Sequence, residues 1–295
     1  MGKIIHGKYA KLTEDFAFKK VFASEEAKEL LIALLNAFLE RKLVSPIKEV
    51  FIKNPYIKGQ SVTNRDAVLD IHCEDSCGNR FIVEMQLGEQ EHFVKRAIFY
   101  LCISVANSGK KGKGYDFNFP RAYSLNFLDF ELDFGKDCDE MVQYFSMRND
   151  DHPEVVLDCL SLVFVILPRF KKRIEECKTL QDKLMFSLCH AHELERVPKQ
   201  LRNGLFERLF SIAKISNFSA MEYSEYTSRM MARADRKAQM EFAVKKGVEK
   251  GMQQGIAEGE ARGEARGMEK GMQKIIEYLK QGHSIAEAEA LLKGQ

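Results

Sequence analysis

Asp70, Glu84 and Gln86 are the residues whose types and spacing offer chemistry. In LDIHCEDSCGNRFIVEMQ, residues 69 to 86, Asp70 falls in the first of two predicted strands, and Glu84 and Gln86 fall in the second. A three-residue turn centred on Cys77, with Gly78 supplying a positive φ, sets Asp70 opposite Glu84 and Val68 opposite Gln86. Directly opposed residues have Cβ atoms about 5 Å apart, and like charges so placed destabilise the pair. A divalent cation with hard oxygen ligands relieves that repulsion. Asp70 and Glu84 are therefore candidate ligands for Mg²⁺, with the Met85 carbonyl as a further oxygen. The alternative is a solvated acidic hairpin face. Gln86 shares the face of Glu84 because side chains alternate. Leu69, Ile71, Cys73, Phe81, Val83 and Met85 form the opposite, apolar face.

The helix predicted from Glu89 opens with His92, Lys95 and Arg96, cations within reach of the same face. His72, Cys73 and Cys77 cluster on the hairpin, and Cys189, His190 and His192 cluster later. Neither set shows two ligand pairs at zinc-finger spacing, so both read as structural. The loop SGKKGKGYD lacks the GK[ST] ending of a P-loop, which argues against nucleotide binding. Its Lys110, Lys111 and Lys113 either meet DNA phosphates or are solvated.

The elements that must position these groups read as follows. Thr13 is placed to cap a helix carrying Phe18 and Phe22 on one face. SEEAKELLIALLNAFLERKL is a second helix, apolar at Leu30, Leu31, Leu34, Leu35 and Phe38. Residues 47–56 are weakly extended, and 121–132 are an aromatic-rich strand. After a polar stretch, LSLVFVIL at 160–167 suits a strand buried on both faces. From Pro168 to about Met240 the pattern is helical, with breaks at Pro198, Gly204 and Asn217. Glycine then recurs every fourth residue from Gly247 to Gly271. Each glycine costs a helix up to about 1 kcal/mol, so this segment is either a frayed helical spacer or a helix-pairing element. Gly282 is a predicted stop, followed by a Ser284…Glu287 capping box.

The chain has 295 residues, 45% of them hydrophobic, enough for a sizeable core. No apolar run is long enough for a membrane span. The stretch MGKIIHGKYAKLTEDF lacks the features of a signal peptide, and seven scattered cysteines suit reduced thiols in a cytoplasm. A net charge of +2 permits nucleic-acid binding through a local basic face without requiring it.

The ordered series DFAFKKVF, LLIALLNAFL, LDI, VEMQ, RAIFY, GKGYDFNFPRAYSLNFLDF and VFVILPRFKK, closed by the glycine-repeat tail, resembles the Rpn family of recombination-promoting nucleases. These are transposase-like members of the PD-(D/E)XK nuclease superfamily. The similarity covers roughly residues 9 to 275. It implies an α/β, restriction-endonuclease-like PD-(D/E)XK core with a mixed sheet flanked by helices, plus a C-terminal helical region and tail. The expected divisions are a nuclease core at 1–167, a helical extension at 168–240, a charged glycine-repeat tail at 241–271 and a short helical hairpin at 272–295.

The resemblance implies a Mg²⁺- or Mn²⁺-dependent DNA endonuclease, a cytoplasmic hydrolase of phosphodiester bonds linked to recombination or mobile elements. Asp70 and Glu84 match its metal ligands, and Asp15 matches an acidic position on its first helix. Gln86 stands where the superfamily has lysine, and would orient the water or the phosphate. Lys95 or Arg96 either stabilises the phosphorus under attack or belongs to solvated helix surface. Tyr100 matches a family position, or is a core aromatic. The rival expectation is a non-catalytic DNA-binding or assembly protein on a degenerate nuclease fold. No membrane partner is expected, and the tail is a candidate surface for homo-oligomers.

Overall fold

The structure, a computed structural model, describes residues 7–57, 67–107, 119–135 and 137–287. Lys110, Lys111 and Lys113 lie outside the described residues. Two compact units divide the chain, Met1–Met230 and Met231–Gln295.

The first unit opens with α1 (Asp15–Phe22) and α2 (Lys28–Leu39). Phe18 and Phe22 share the buried face of α1, with ring centroids 5.1 Å apart. Glu14, not Thr13, is the N-cap of α1, and the Thr13 side chain is buried. Next come β1 (Val50–Ile52), β2 (Tyr56–Ile57), β3 (Ala67–Val68), β4 (Ile71–Asp75) and β5 (Arg80–Gln86). α3 (Phe93–Ala106) is followed by β6 (Ala122–Leu128), β7 (Val142–Arg148) and β8 (Val156–Ile166). α4 (Leu180–His190) and α5 (Gly204–Ala213) precede the long α6 (Ala220–Lys280).

Six strands form a mixed sheet in the order β1-β4-β5-β6-β8-β7. β5, β6 and β8 run parallel, and β1, β4 and β7 pair antiparallel to their neighbours. β2 and β3 form a separate two-stranded sheet. This is the expected α/β architecture with a mixed sheet between helices.

Alternation sorts the sheet into two buried faces. Odd-numbered residues (Ile71, Cys73, Phe81, Val83, Tyr123, Leu125, Phe127, Val163 and Val165) join α1, α2, α4 and α5 in one large cluster. Phe127 meets Phe38 and Phe18 there, at 5.1 and 6.0 Å between ring centroids. Even-numbered Ile82, Leu128 and Phe164 pack instead against residues of α3. A sheet covered on both faces lets its central strands read as unbroken apolar runs, as LSLVFVIL does.

The hairpin has the expected register: Ile71 opposes Val83, His72 opposes Ile82, and Cys73 opposes Phe81. Asp75 builds the turn. Its side chain accepts the backbone N–H groups of Cys77 and Asn79, both at 2.9 Å, and the Asn79 side-chain amide at 2.8 Å. Gly78 has a φ of 79°.

Expectations for the hairpin and the far sheet edge are also corrected. Asp70 lies one residue before β4, at a bend rather than inside the strand. Val68 pairs with Tyr56 instead of Gln86. Leu69 packs with Ile82, on the α3 side, because the bend at Asp70 breaks the alternation. The polar-looking stretch after residue 132 contains β7, an edge strand whose exposed Phe145 and Met147 alternate with inward residues. Pairing with β7 also carries β8 back to Val156.

α3 begins at Phe93 rather than Glu89, because His92 takes a left-handed backbone with φ 64°. The expected breaks at Pro198, Gly204 and Asn217 fall between helices α4, α5 and α6 or at the first residue of α5. Tyr226, near the start of α6, is buried against Phe16 and accepts the Lys11 backbone N–H at 2.8 Å.

In the second unit the helix continues through the glycine repeat to Lys280. Gly282 has a φ of 93°, and Glu287 accepts from the Ser284 backbone N–H at 2.8 Å. No described helix is long and apolar enough to cross a membrane.

Gly78→Ala forces an L side chain into the left-handed region, where strain is about 1–2 kcal/mol. The nearest atom to the new Cβ, Pro120 Cγ, is at an ordinary 3.4 Å, so backbone strain alone sets the cost. A urea titration is expected to show a stability loss of about 1 kcal/mol. An unchanged midpoint would mean the turn relaxes.

Candidate active site

Asp70 and Glu84 meet at the C-terminal end of β5. β4 stops at Ile71, so the next backbone N–H toward the N-terminus, that of Asp70, donates to a side chain. It reaches Glu84 Oε1 at 3.2 Å. The Met85 backbone N–H donates to Asp70 Oδ2 at 2.8 Å. The two carboxylates are thus bound to each other's strands by reciprocal backbone donors. Glu84 follows Ile82 on the face beneath α3 and is buried; Asp70 is half-buried.

Two helices reach the pair from opposite faces of the sheet. From α1, Lys19 Nζ lies 3.0 Å from Asp70 Oδ1 and 2.5 Å from Asp15 Oδ1. Asp15 Oδ2 is in turn paired with Arg229, which holds Glu225 at 2.8 Å. From α3, Arg96 donates through Nη2 to Gln86 Oε1 at 2.7 Å and also pairs with Gln90. Its guanidinium lies 5.0 Å from the Phe93 ring and 5.9 Å from that of Tyr100. The Gln86 amide donates to Glu84 Oε2 at 3.1 Å. Arg96 therefore fixes the amide's orientation, since only its nitrogen can face a carboxylate.

Asp70, Glu84, Gln86, Asp15 and Arg96 are brought together in one network, with Tyr100 at its edge packing on Ile57, Leu69 and Ile82. Lys95 is exposed on α3 and takes no part in it.

Two residues escaped the reading of the sequence. Lys19 looks like one of many lysines on an amphipathic helix; its signal was its place one turn after Asp15. Asn126 is fully buried on β6 directly beside Glu84 and donates to Ser124 Oγ at 2.9 Å. Its signal was an amide inside the otherwise apolar YSLNFL.

The electrostatics follow from burial. Burial pushes the Glu84 carboxyl up to about 8, and the Asp70 charge adds to this. Burial also raises Asp70, against the pull of Lys19 and the Met85 N–H. Lys19 is itself raised: burial works against its charge, but Asp70 and Asp15 outweigh that. A buried and a half-buried carboxyl group, with hard oxygens and no thiolate or imidazole among their partners in the described residues, suit Mg²⁺ or Mn²⁺. A divalent cation would reverse the penalty that holds Glu84 protonated. The donor set fits such an ion.

A family model for the PD-(D/E)XK nuclease family transposase matches residues 12–243. The chain belongs to this family. Its match takes in both site-bearing helices, the whole six-stranded sheet and the start of α6. No curated protein matches the chain. No solved structure matches it. Membership makes the protein a nuclease-family chain related to mobile elements, and the carboxylate pair lies near the carboxyl ends of the parallel strands β5 and β6, the side on which open α/β sheets bind ligands.

Because the folded state raises Glu84, it binds a proton that the unfolded chain releases above its ordinary value of 4.5. The associated stability is fully present below that value and is lost as pH rises toward about 8. In EDTA, melting of wild type is expected to fall across this window. Glu84→Gln, neutral throughout, is expected to flatten the profile and melt several degrees higher at the alkaline end. A Glu84→Gln profile parallel to wild type would place the titration elsewhere.

Proposed function

We propose that the protein is a metal-dependent DNA endonuclease that hydrolyses phosphodiester bonds and acts in recombination or mobile-element movement. The meeting of Asp70 and Glu84 at the end of β5, in a chain of this nuclease family, carries the reading. Asp70 and Glu84 would hold Mg²⁺ or Mn²⁺, with the Met85 carbonyl as a third oxygen. When bound, the ion lowers the pKa of a water and takes up charge on a phosphoryl oxygen.

The chain's own residues supply the rest. Arg96 clamps the Gln86 carbonyl, so the amide nitrogen is directed at the carboxylates. That nitrogen has two N–H donors; one is used on Glu84, and the other can orient a water or a phosphate oxygen. A neutral amide donor is roughly half as strong as a charge-assisted one, so Gln86 positions more than it stabilises charge. Burial beneath α3 strengthens each of these interactions. The glycine-repeat helix, with Val248, Met252, Ile256, Met268 and Met272 all more than half exposed, is proposed to pair copies of the chain.

Supercoiled plasmid with Mg²⁺ or Mn²⁺ is expected to be nicked or linearised. Asp70→Ala and Glu84→Ala are expected to abolish this, while Gln86→Ala loses much of it and Gln86→Lys retains it. Cleavage surviving in both carboxylate variants would place the site elsewhere. DNA binding without any cleavage would instead favour the non-catalytic DNA-binding protein, the reading to which the absence of lysine at position 86 points.

A chain truncated after Met240 keeps every proposed ligand. Gel filtration is expected to show a smaller assembly with cleavage intact. Loss of cleavage by a folded, truncated monomer would mean that pairing of copies completes the site.

A further inference from the structure

The second strand of the site carries no cation at the position two beyond Glu84, where Gln86 is a neutral amide. Yet a lysine ammonium lies against the carboxylate pair, delivered from another element. We infer that Lys19 supplies the charge absent at position 86, contacting a non-bridging oxygen of the phosphate that is attacked. The inference rests on the nuclease reading and assigns a residue to its site.

Lys19 reaches the site because α1 is locked in rotation. Phe18 and Phe22 are fully buried, and α1 presents Asp15 and Lys19 together, one turn apart, at the rim of the sheet. The ammonium sits 3.0 Å from Asp70 Oδ1, which puts it three contacts from the Gln86 amide, through Asp70 and Glu84. Its side chain is 35% exposed, so a substrate can reach it. An ammonium has three donors, and that of Lys19 is ion-paired with Asp15 and Asp70.

Lys19 also has an anchor independent of Asp70. Asp15 holds it at 2.5 Å, and Arg229, itself held by Glu225, secures the other oxygen of Asp15. When the Asp70 oxygen is committed elsewhere, Asp15 keeps the ammonium at the site. Arg96, the other nearby cation, is committed to Gln86 and Gln90 and acts as a positioning residue.

In the hydrolysis itself, the water oxygen bonds to phosphorus and the bond to the departing sugar oxygen breaks. One water proton passes to solvent, and the departing oxygen takes one up. Lys19 gives up no proton; its charge offsets the negative charge that grows on the phosphate, and a fixed donor of this kind contributes roughly 10²–10³ in rate.

Two measurements test this. With plasmid and Mn²⁺, Lys19→Ala is expected to cleave about 100-fold more slowly than wild type. Lys19→Arg keeps a charge and is expected to lose less. Adding Gln86→Lys to Lys19→Ala returns a cation from the strand and is expected to recover most of the rate. The second readout is Mn²⁺ affinity without DNA, followed by the melting midpoint. Lys19→Ala is expected to bind Mn²⁺ at least as tightly as wild type, because a competing ammonium has left Asp70.

Wild-type cleavage with undiminished Lys19→Ala activity overturns the inference and leaves the nuclease reading standing. So does slow cleavage by Lys19→Ala with weakened Mn²⁺ binding, since Lys19 would then only hold Asp70 in place. No cleavage by wild type overturns both. Should Lys19→Ala fail to fold, Lys19→Gln keeps the stem and carries the same expectations.

Discussion

Two acidic groups are held together at the end of a sheet that is buried on both faces, and the surrounding structure answers to that constraint. Burying a charge is costly unless it is paired and hydrogen-bonded. Here each carboxylate accepts a backbone N–H from the other side of the hairpin, beside the point where β4 begins at Ile71. Had the hairpin ladder continued to Leu69, the Met85 N–H would have been spent on a backbone carbonyl. The bend that looks like a defect in the strand frees a donor for Asp70.

The flanking helices complete the arrangement from either side. α1 brings a cation to Asp70, and α3 brings one to the amide that contacts Glu84. Neither cation touches both carboxylates, so each acid has its own support. The start of α6 enters the same network through Arg229 and Asp15, and its Tyr226 anchors it beside α1. The segment after α5 thus belongs to the support of the site, although it lies more than 140 residues from Glu84 in sequence.

Much of this was legible in the sequence, and the reasons are specific. The hairpin register could be read because odd and even residues differ in polarity on both strands, and because Asp75 and Gly78 mark the turn. The apolar run at 160–167 declared a central strand. β7 was not legible: an edge strand with one face in solvent mixes Val142, Tyr144 and Phe145 with Gln143 and Ser146, and reads as polar loop. The bend at Asp70 was hidden because Leu69 fits the alternation while packing on the other face. Lys19 was hidden for a different reason. Its partner is Asp70, more than 50 residues away, and no local pattern distinguishes a lysine that meets a distant acid from one that meets water.

The tight turn at Asp75 acts as a ruler for chemistry at the far end of the hairpin. Five pairs of residues separate the turn from Asp70 and Glu84, roughly 17 Å at about 3.3 Å per residue. One residue added at 76–78 leaves each strand's own alternation intact, but a one-residue slip that moves Glu84 opposite Leu69 strands Asp70 opposite Val83. The site would be dismantled without any of its side chains being altered. Length changes in this remote, solvent-facing loop are therefore as severe for the carboxylate pair as substitution of the acids themselves. Side-chain changes at the exposed Cys77 leave that spacing untouched.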